Sequence, residues 1–122
     1  MSNKQNTLFG NMDIKTGCDI VEIDRFRKTD KSSLLKIFYE SEIRNSRPET
    51  LAGLFAAKES CKKAFNSLRW HDIIINKEKS GKPLLSINKK QLGKNAVLSS
   101  DLSISHDGSY AIAIVVFVVK KG

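Results

Sequence analysis

Residues 48–66 constrain the fold most, because they form the longest stretch of the chain with the periodicity of a helix. Pro48 suits the first turn of a helix, and the acidic Glu49 beside it suits the same end. At about 100° per residue, the apolar side chains of this stretch fall on one broad arc. These side chains are Leu54, Phe55, Ala57, Cys61, Ala64 and Phe65, with Leu68 just beyond. The pattern predicts one long helix that packs this arc against the core.

Charged residues interrupt the apolar arc. Lys58 and Lys62 fall inside it, Glu59 lies at its edge, and Lys63 lies just beyond. In one interpretation the lysine stems lie along the core and their ammonium groups reach water, while Glu59 and Lys63 form an ordinary surface pair. In the other, the helix forms one wall of a pocket for a phosphate-rich, metal-bound ligand. The helix alone favours the first interpretation, because ion pairs without a function also occur on such surfaces.

The rest of the chain predicts a single α+β domain. A flexible leader at residues 1–12 precedes this domain, which spans residues 13–122. Strands are predicted at residues 14–23, 71–76, 84–87, 98–105 and 110–119. Short helical pieces are predicted at residues 24–28, 32–39, 41–44 and 88–94. The pair Asp107-Gly108 is typical of a hairpin turn between the last two strands.

The last predicted strand is apolar at nearly every position, which predicts burial on both faces and hints at a subunit interface. This strand is about half as long as a membrane-spanning helix, and the polar N-terminal residues lack the apolar run of a signal peptide. Cys18 and Cys61 have apolar neighbours, and neither His71 nor His106 has zinc-ligand spacing with them. These features predict a cytoplasmic protein with reduced thiols and no zinc site.

The formal net charge of +8 predicts an acidic or phosphorylated partner. A basic nucleic-acid-binding module is one alternative that this charge allows. The lysines and arginines are spread over the whole chain, however, and no strand interleaves aromatic with basic side chains. A phosphorylated cofactor or an acidic protein therefore fits the charge better than nucleic acid does.

Two carboxylates and one histidine are the candidate functional side chains. The first predicted strand places Asp19 on an apolar face, where it bonds a helix N-terminus or an arginine, or else binds a metal. Glu59, on another element, supplies a second carboxylate, and Mg²⁺ takes one or two carboxylates together with water and phosphate oxygens. His106, at the hairpin turn, is either an exposed turn residue or a group that holds a substrate hydroxyl or phosphate.

Four segments, in this order, carry a resemblance to a known family. They read Gly-Cys-Asp-Ile-Val-Glu-Ile-Asp-Arg at residues 17–25, Phe-Ala-Ala-Lys-Glu-Ser at residues 55–60, Gly-Lys-Pro at residues 81–83 and Ser-Ile-Ser-His at residues 103–106. The chain resembles the bacterial holo-acyl-carrier-protein synthases, the short, single-domain class of 4′-phosphopantetheinyl transferases. The first two segments are specific in order and separation. The resemblance implies the 4′-phosphopantetheinyl transferase fold, with a small antiparallel sheet packed on one long and several short helices.

Enzymes of that family transfer the 4′-phosphopantetheine arm of coenzyme A to a serine of an apo acyl carrier protein and release adenosine 3′,5′-bisphosphate. The resemblance therefore implies a magnesium-dependent transferase of fatty acid biosynthesis whose partners are coenzyme A and an acidic acyl carrier protein. It also implies a homotrimer in which neighbouring subunits share each active site, with no nucleic-acid or membrane partner. The apolar last strand agrees with such a trimer.

The resemblance implies roles for individual residues as well. Asp19 and Glu59 match the positions that hold Mg²⁺ on the coenzyme A pyrophosphate, and Lys63 matches a lysine suited to stabilising the leaving α-phosphate. We hypothesise that a water at the metal, or Glu59 itself, accepts the proton of the attacking serine. Arg25 matches an arginine that faces the acidic carrier protein. The positions that match regions lining the coenzyme A site are Arg47, Lys58, Gly81, Lys82, Pro83, Ser105 and His106.

The chain departs from the family pattern at two positions. Leu54 stands where family members commonly have an arginine, and Arg44 or Arg47 could replace the missing guanidinium. Asn66 stands where they commonly have glycine, and asparagine tolerates the left-handed conformation of a helix C-cap. An interaction protein that keeps the fold without the activity is a further alternative, which the presence of both carboxylates disfavours.

Overall fold

The computed structural model describes residues 10–122 and confirms the α+β class. The strands are β1 (Met12–Glu22), β2 (Ile73–Lys77), β3 (Pro83–Ile87), β4 (Ala96–Asp107) and β5 (Tyr110–Lys120). The helices are α1 (Lys31–Leu34), α2 (Glu40–Ile43) and α3 (Pro48–Ala64), and single 3₁₀ turns lie at Ile23–Phe26, Trp70–Asp72 and Lys89–Leu92. Within residues 10–122, no helix is both long and apolar enough to cross a bilayer.

A three-stranded antiparallel sheet in the order β1-β5-β4 carries the long helix. β5 is its central strand and pairs along its whole length with both neighbours. The turn Asp107-Gly108 joins β4 to β5 as predicted, and Gly108 has a positive φ of 57°, which glycine adopts without strain. β2 and β3 form a separate hairpin beside β4. α3 packs across β1 and β5, and the core lies between them.

α3 begins where the sequence predicts, with Pro48 in its first turn. It ends at Ala64, two residues earlier than predicted, because Phe65 turns into extended backbone and packs its ring against Phe117 at a centroid distance of 4.9 Å. The prediction that Asn66 forms a left-handed helix cap is wrong. In the part of the chain that the structure describes, Asn45 is the only non-glycine residue with a positive φ.

The other predicted elements are present with shifted ends. β1 starts at Met12, two residues before the predicted strand, and residues 1–9 of the predicted leader lie outside the described range. The helix predicted at residues 32–39 shortens to the single turn of α1. Buried side chains hold the segment that follows β1, because Phe26, Leu34 and Phe38 all face the core. Tertiary packing, more than helical hydrogen bonding, therefore positions this segment.

The predicted burial of β5 on both faces is wrong for the single chain. Its inner face is buried through every second residue, namely Ala111, Ala113, Val115, Phe117 and Val119. Its outer face is open, since Ile112 is 42% exposed and Ile114 is 47% exposed. Ile14 and Ile20 of β1 are exposed on the same side of the sheet. We call this set of four isoleucines the outer sheet face.

Candidate active site

β1 and α3 approach each other closely at Gly17. A Cβ atom added there would lie 1.8 Å from the carbonyl oxygen of Ser60, so only glycine allows this approach. The Ser60 hydroxyl is buried within hydrogen-bond distance of the carbonyl oxygens of Ala56 in α3 (2.7 Å) and Ala113 in β5 (3.2 Å). The close approach brings the residues that follow Gly17 on β1 next to the second half of α3.

An ion pair bridges the two elements at this point. The Lys63 ammonium donates to Asp19 Oδ1 at 3.0 Å and to the carbonyl oxygen of Cys18 at 2.9 Å. The Asp19 side chain is 16% exposed and lies on the inner side of β1. The hydrogen bond that Lys63 donates to Asp19 raises the pKa of Lys63, and the charges of Asp19 and Glu59 add to that rise. The lysine therefore stays charged beside two carboxylates.

Glu59 lies one turn before Lys63 on α3 and does not form the predicted surface pair with it. Its Oε1 atom lies 4.0 Å from the ammonium of Lys62, and its side chain is 31% exposed. The Lys62 ammonium in turn lies 3.6 Å from the centre of the Trp70 ring, a cation–π contact. The carboxylate of Glu59 is thus accessible and only loosely paired.

Asp19 and Glu59 fit the donor set that Mg²⁺ prefers. Both are carboxylates, both are partly accessible, and they come from two elements that meet around one cation, the ammonium of Lys63. Among residues 10–122, no three His, Cys, Asp or Glu side chains cluster closely enough to form a complete protein site. A metal ion bound here would keep open positions for water and phosphate oxygens, as Mg²⁺ commonly does.

A cavity of about 470 Å³ lies between α2, the first half of α3, the β2–β3 hairpin and β4. Among its lining residues are three that the sequence predicts for the coenzyme A site, Gly81, Pro83 and His106. The His106 Nε2 atom lies 2.9 Å from the carbonyl oxygen of Glu49. Gly53 leaves room for this ring, since a Cβ atom there would lie 3.1 Å from Nε2.

The cavity wall includes Leu54, the residue that stands where family members commonly have an arginine. Leu54 lines the cavity, so an arginine at this position would reach into it. Arg44 lines the same cavity from the segment after α2. Arg44 thus lies at this cavity on another element, which is compatible with the replacement considered for it. Arg47 is instead exposed, and its Nε lies 3.8 Å from Glu49 Oε2.

Other predicted site residues lie apart from the cavity in the single chain. The Lys82 ammonium lies 3.3 Å from Asp101 Oδ1 at the edge of the hairpin. Ser105 is exposed on the outer side of β4, opposite Ile112 of β5. Arg25 is exposed, and its guanidinium carbon lies 4.7 Å from the centre of the Phe55 ring.

The structure contradicts the predicted contact of Lys58 with substrate, and its ammonium does not reach water either. Lys58 is completely buried, and its ammonium lies 2.8 Å from Glu42 Oε1. It also donates to the carbonyl oxygens of Ile37, Trp70 and Ile73. Burial lowers the pKa of Lys58, and the hydrogen bond and charge of Glu42 oppose that change. No N–H of this lysine is left for a phosphate.

Sequence reasoning missed Glu42. This residue lines the cavity, yet its carboxylate is buried and bonded to Lys58. The predicted elements around Glu42 are short and irregular. No periodicity of the sequence therefore marks Glu42 as a buried position. The only available signal was indirect: an acidic partner is needed wherever a lysine lies on a strongly apolar arc.

Comparisons with known proteins agree with this geometry. A family model for the 4′-phosphopantetheinyl transferase superfamily matches residues 15–115. The holo-[acyl-carrier-protein] synthase of Sulfurovum sp. (strain NBC37-1) is 37% identical over 111 residues, which cover 83% of this chain and 93% of that protein. The corresponding protein of Clostridium novyi (strain NT) is 40% identical and covers 88% of this chain and 89% of its own length.

Solved structures show the same similarity. The crystal structure of Helicobacter pylori holo-[acyl-carrier-protein] synthase in complex with coenzyme A matches with a TM-score of 0.74 and 34% identity, over 84% of this chain and 98% of that one. The Bacillus anthracis enzyme in complex with CoA (3′,5′-ADP) matches with a TM-score of 0.71 and 29% identity, over 88% and 97%. The chain therefore belongs to the 4′-phosphopantetheinyl transferase superfamily, among its short, single-domain holo-[acyl-carrier-protein] synthases.

Proposed function

We propose that this chain transfers the 4′-phosphopantetheine arm of coenzyme A to a serine of an apo acyl carrier protein, with Asp19, Glu59 and Lys63 as its reaction centre. The names of the matching relatives and the coenzyme A bound in the Helicobacter pylori structure support the reaction. One observation carries the reaction centre: the Lys63 ammonium lies 3.0 Å from Asp19 Oδ1 and one helical turn from Glu59.

Lys63 supplies the permanent positive charge of this centre. Its side chain is more than half exposed, so the ammonium can turn from Asp19 towards a phosphate oxygen without crossing the core. Positive charge at that position stabilises the negative charge that develops on the leaving phosphate, which is the main demand of phosphoryl transfer. The release of adenosine 3′,5′-bisphosphate therefore depends on Lys63.

Asp19 and Glu59 would hold Mg²⁺, which neutralises pyrophosphate charge when it is bound. Asp19 is held in place by β1, and Glu59 by α3, so the two elements together set the distance between the carboxylates. Glu59 is also positioned to take the proton from the carrier serine, directly or through a water, because its carboxylate is accessible and only loosely paired.

The cavity is the proposed site for the rest of coenzyme A. Its volume lies within the range of small-molecule sites. Arg44, Lys77 and His106 offer cationic or hydrogen-bonding groups to phosphate oxygens. Gly81 and Pro83 contribute compact residues to the hairpin wall beside Lys77. Lys82 and Arg47 lie apart from the cavity in the single chain, and their contact with coenzyme A stays a prediction.

Arg25 is proposed to meet the acidic carrier protein. Its guanidinium stacks on Phe55, a side chain of α3 one turn before Glu59. This stacking holds an exposed positive charge close to the reaction centre, where a carrier protein must place its serine.

The outer sheet face is proposed to pack against two further copies of this chain in a homotrimer. Exposed isoleucines lie on one side of two neighbouring strands, and exposed apolar side chains of this kind mark protein interfaces. Ser105 lies on that side, so a trimer would carry it towards a neighbouring subunit's site. We also propose a cytoplasmic location, in keeping with the free thiols of Cys18 and Cys61.

One experiment tests the proposed function. The protein is incubated with coenzyme A, Mg²⁺ and an apo acyl carrier protein, and the intact mass of the carrier is measured. We expect the mass to rise by that of one phosphopantetheine arm, and we expect Lys63→Ala to lose this reaction while keeping its fold. A folded wild-type protein that modifies none of several carriers would instead favour an interaction protein without activity.

A further inference from the structure

The buried pair Lys58–Glu42 ties together elements that are far apart in the sequence. The Lys58 ammonium lies within hydrogen-bond distance of Glu42 Oε1 (2.8 Å) and of three backbone carbonyl oxygens. Those carbonyls belong to Ile37, before α2, and to Trp70 and Ile73, at the entry to β2. One side chain of α3 therefore binds both chain segments that face it.

Glu42 completes the connection from the other side. Its Oε1 atom also accepts from the backbone N–H of Tyr39 at 2.7 Å, and its Oε2 atom accepts from the backbone N–H of Ile75 at 2.9 Å. Within residues 10–122, each hydrogen-bond partner of this carboxylate is thus a donor, and both oxygens are used. The Ile75 contact joins α2 directly to β2.

The elements joined by this pair are walls of the cavity. Glu42 and Ile75 both line it, and residues 44–46 continue the same wall from α2. The other partner, Lys58, immediately precedes Glu59 on α3. The pair is therefore the direct polar link between the cavity walls and the turn of α3 that carries the proposed reaction centre.

We propose that the Lys58–Glu42 pair is a positioning device that holds α2 and β2 in register with α3, so that coenzyme A reaches the cavity and Glu59 at the same time. This inference rests on the proposed function, since it concerns the same substrate. Glu42 lines the cavity, but the pair offers no free polar group to the substrate, because the Lys58 ammonium and both Glu42 oxygens are bonded within the protein. The pair acts through the cavity walls, and its loss shifts those walls relative to Glu59.

Glu42→Gln is the sharpest variant, because it keeps the shape of the side chain. Its amide NH₂ must face the Lys58 ammonium, the Tyr39 N–H or the Ile75 N–H, and each of these is itself a donor. We expect the KM and the Kd for coenzyme A to rise about tenfold or more, with the carrier-protein KM changed less than twofold. Lys58→Met is also expected to raise the Kd for coenzyme A. In the double variant the loss of binding free energy is expected to be smaller than the sum of the two single losses, because no unpaired buried charge is left.

Val119→Ala is the control for stability alone. Val119 is buried near the end of β5 that is distant from the Asp107-Gly108 turn, and it does not line the cavity. We expect it to lower the melting temperature without changing the Kd for coenzyme A, measured by calorimetry in the absence of carrier. If folded Glu42→Gln and Lys58→Met bind coenzyme A as the wild type does, the proposal is overturned.

A measurement on the wild-type protein keeps the proposal testable if the variants do not fold. Coenzyme A binding is expected to slow amide hydrogen exchange in residues 37–46 and 73–77 at least tenfold, and to leave the β5 amides unchanged. Coenzyme A bound without this protection would refute the positioning role. Failure of the wild-type protein to bind coenzyme A at all would refute the proposed function instead, so the two failures are distinct.

Discussion

Replacing Gly17 by alanine is expected to push β1 away from α3. The new Cβ atom would lie 1.8 Å from the Ser60 carbonyl oxygen, whereas real Cβ atoms essentially never approach closer than 3.0 Å. The two backbones must therefore separate by at least 1.2 Å, the difference between these distances. Because the obstructing oxygen belongs to the backbone, no side-chain rotation relieves the contact.

This displacement has a cost in stability and a cost in catalysis. Overpacking of this kind lowers the free energy of unfolding by about 1–3 kcal/mol, which for a domain of this size lowers the melting temperature by roughly 3–15 °C. Asp19 lies two residues after Gly17, and Glu59 adjoins Ser60, so the same movement separates the two carboxylates. Mg²⁺ requires ligands at about 2.0–2.1 Å, and a shift of this size is expected to lower transfer by about 10²-fold.

Thermal unfolding followed by circular dichroism measures the first cost, and carrier modification followed by intact mass measures the second. Val119→Ala serves again as the control, because it removes buried volume from β5 without moving β1 against α3. If Gly17→Ala melts and reacts as the wild type does, the argument from close approach is refuted. If Gly17→Ala has a lower melting temperature but modifies the carrier as fast as Val119→Ala does, the proposed dependence of transfer on the spacing of the two carboxylates is refuted.

Asp19→Asn and Glu59→Gln are each expected to lower transfer by about 10²-fold or more with an unchanged circular dichroism spectrum, and wild-type activity in either would contradict the metal assignment. Arg25→Glu should raise the carrier-protein KM about tenfold and the coenzyme A KM much less; equal changes would contradict its docking role. Burial raises the pKa of the Cys61 thiol from 9.0 to about 12, so the folded state retains this proton. The free energy of unfolding should therefore fall by about 1.4 kcal/mol per unit as pH rises from 9 towards 12, and urea titrations should show this slope reduced in Cys61→Ala.

Local sequence patterns determined most elements of the fold. Pro48 and the apolar arc that follows it placed α3, and Asp107-Gly108 placed the last hairpin, because helix periodicity and turn conformation depend on neighbouring residues. The placement of Asp19 and Glu59 on separate elements also marked them as candidate metal ligands, and the resemblance then assigned the same role to both. Residue alternation also marked the inner side of β1 correctly, since a strand alternates its faces at every residue.

Tertiary structure alone decided the environments of the charged side chains and of the last strand. Periodicity placed Lys58 on the apolar arc, but its partner Glu42 lies 16 positions earlier and gave no signal of its own. The sequence of β5 was limited in the same way. Its apolar pattern shows that both faces of the strand are hydrophobic, but not which part of the protein packs against each face. A pattern along the chain reports local geometry and hydrophobicity. The partners that offset the desolvation of a buried charge come from distant segments, and they are defined only when those segments pack together.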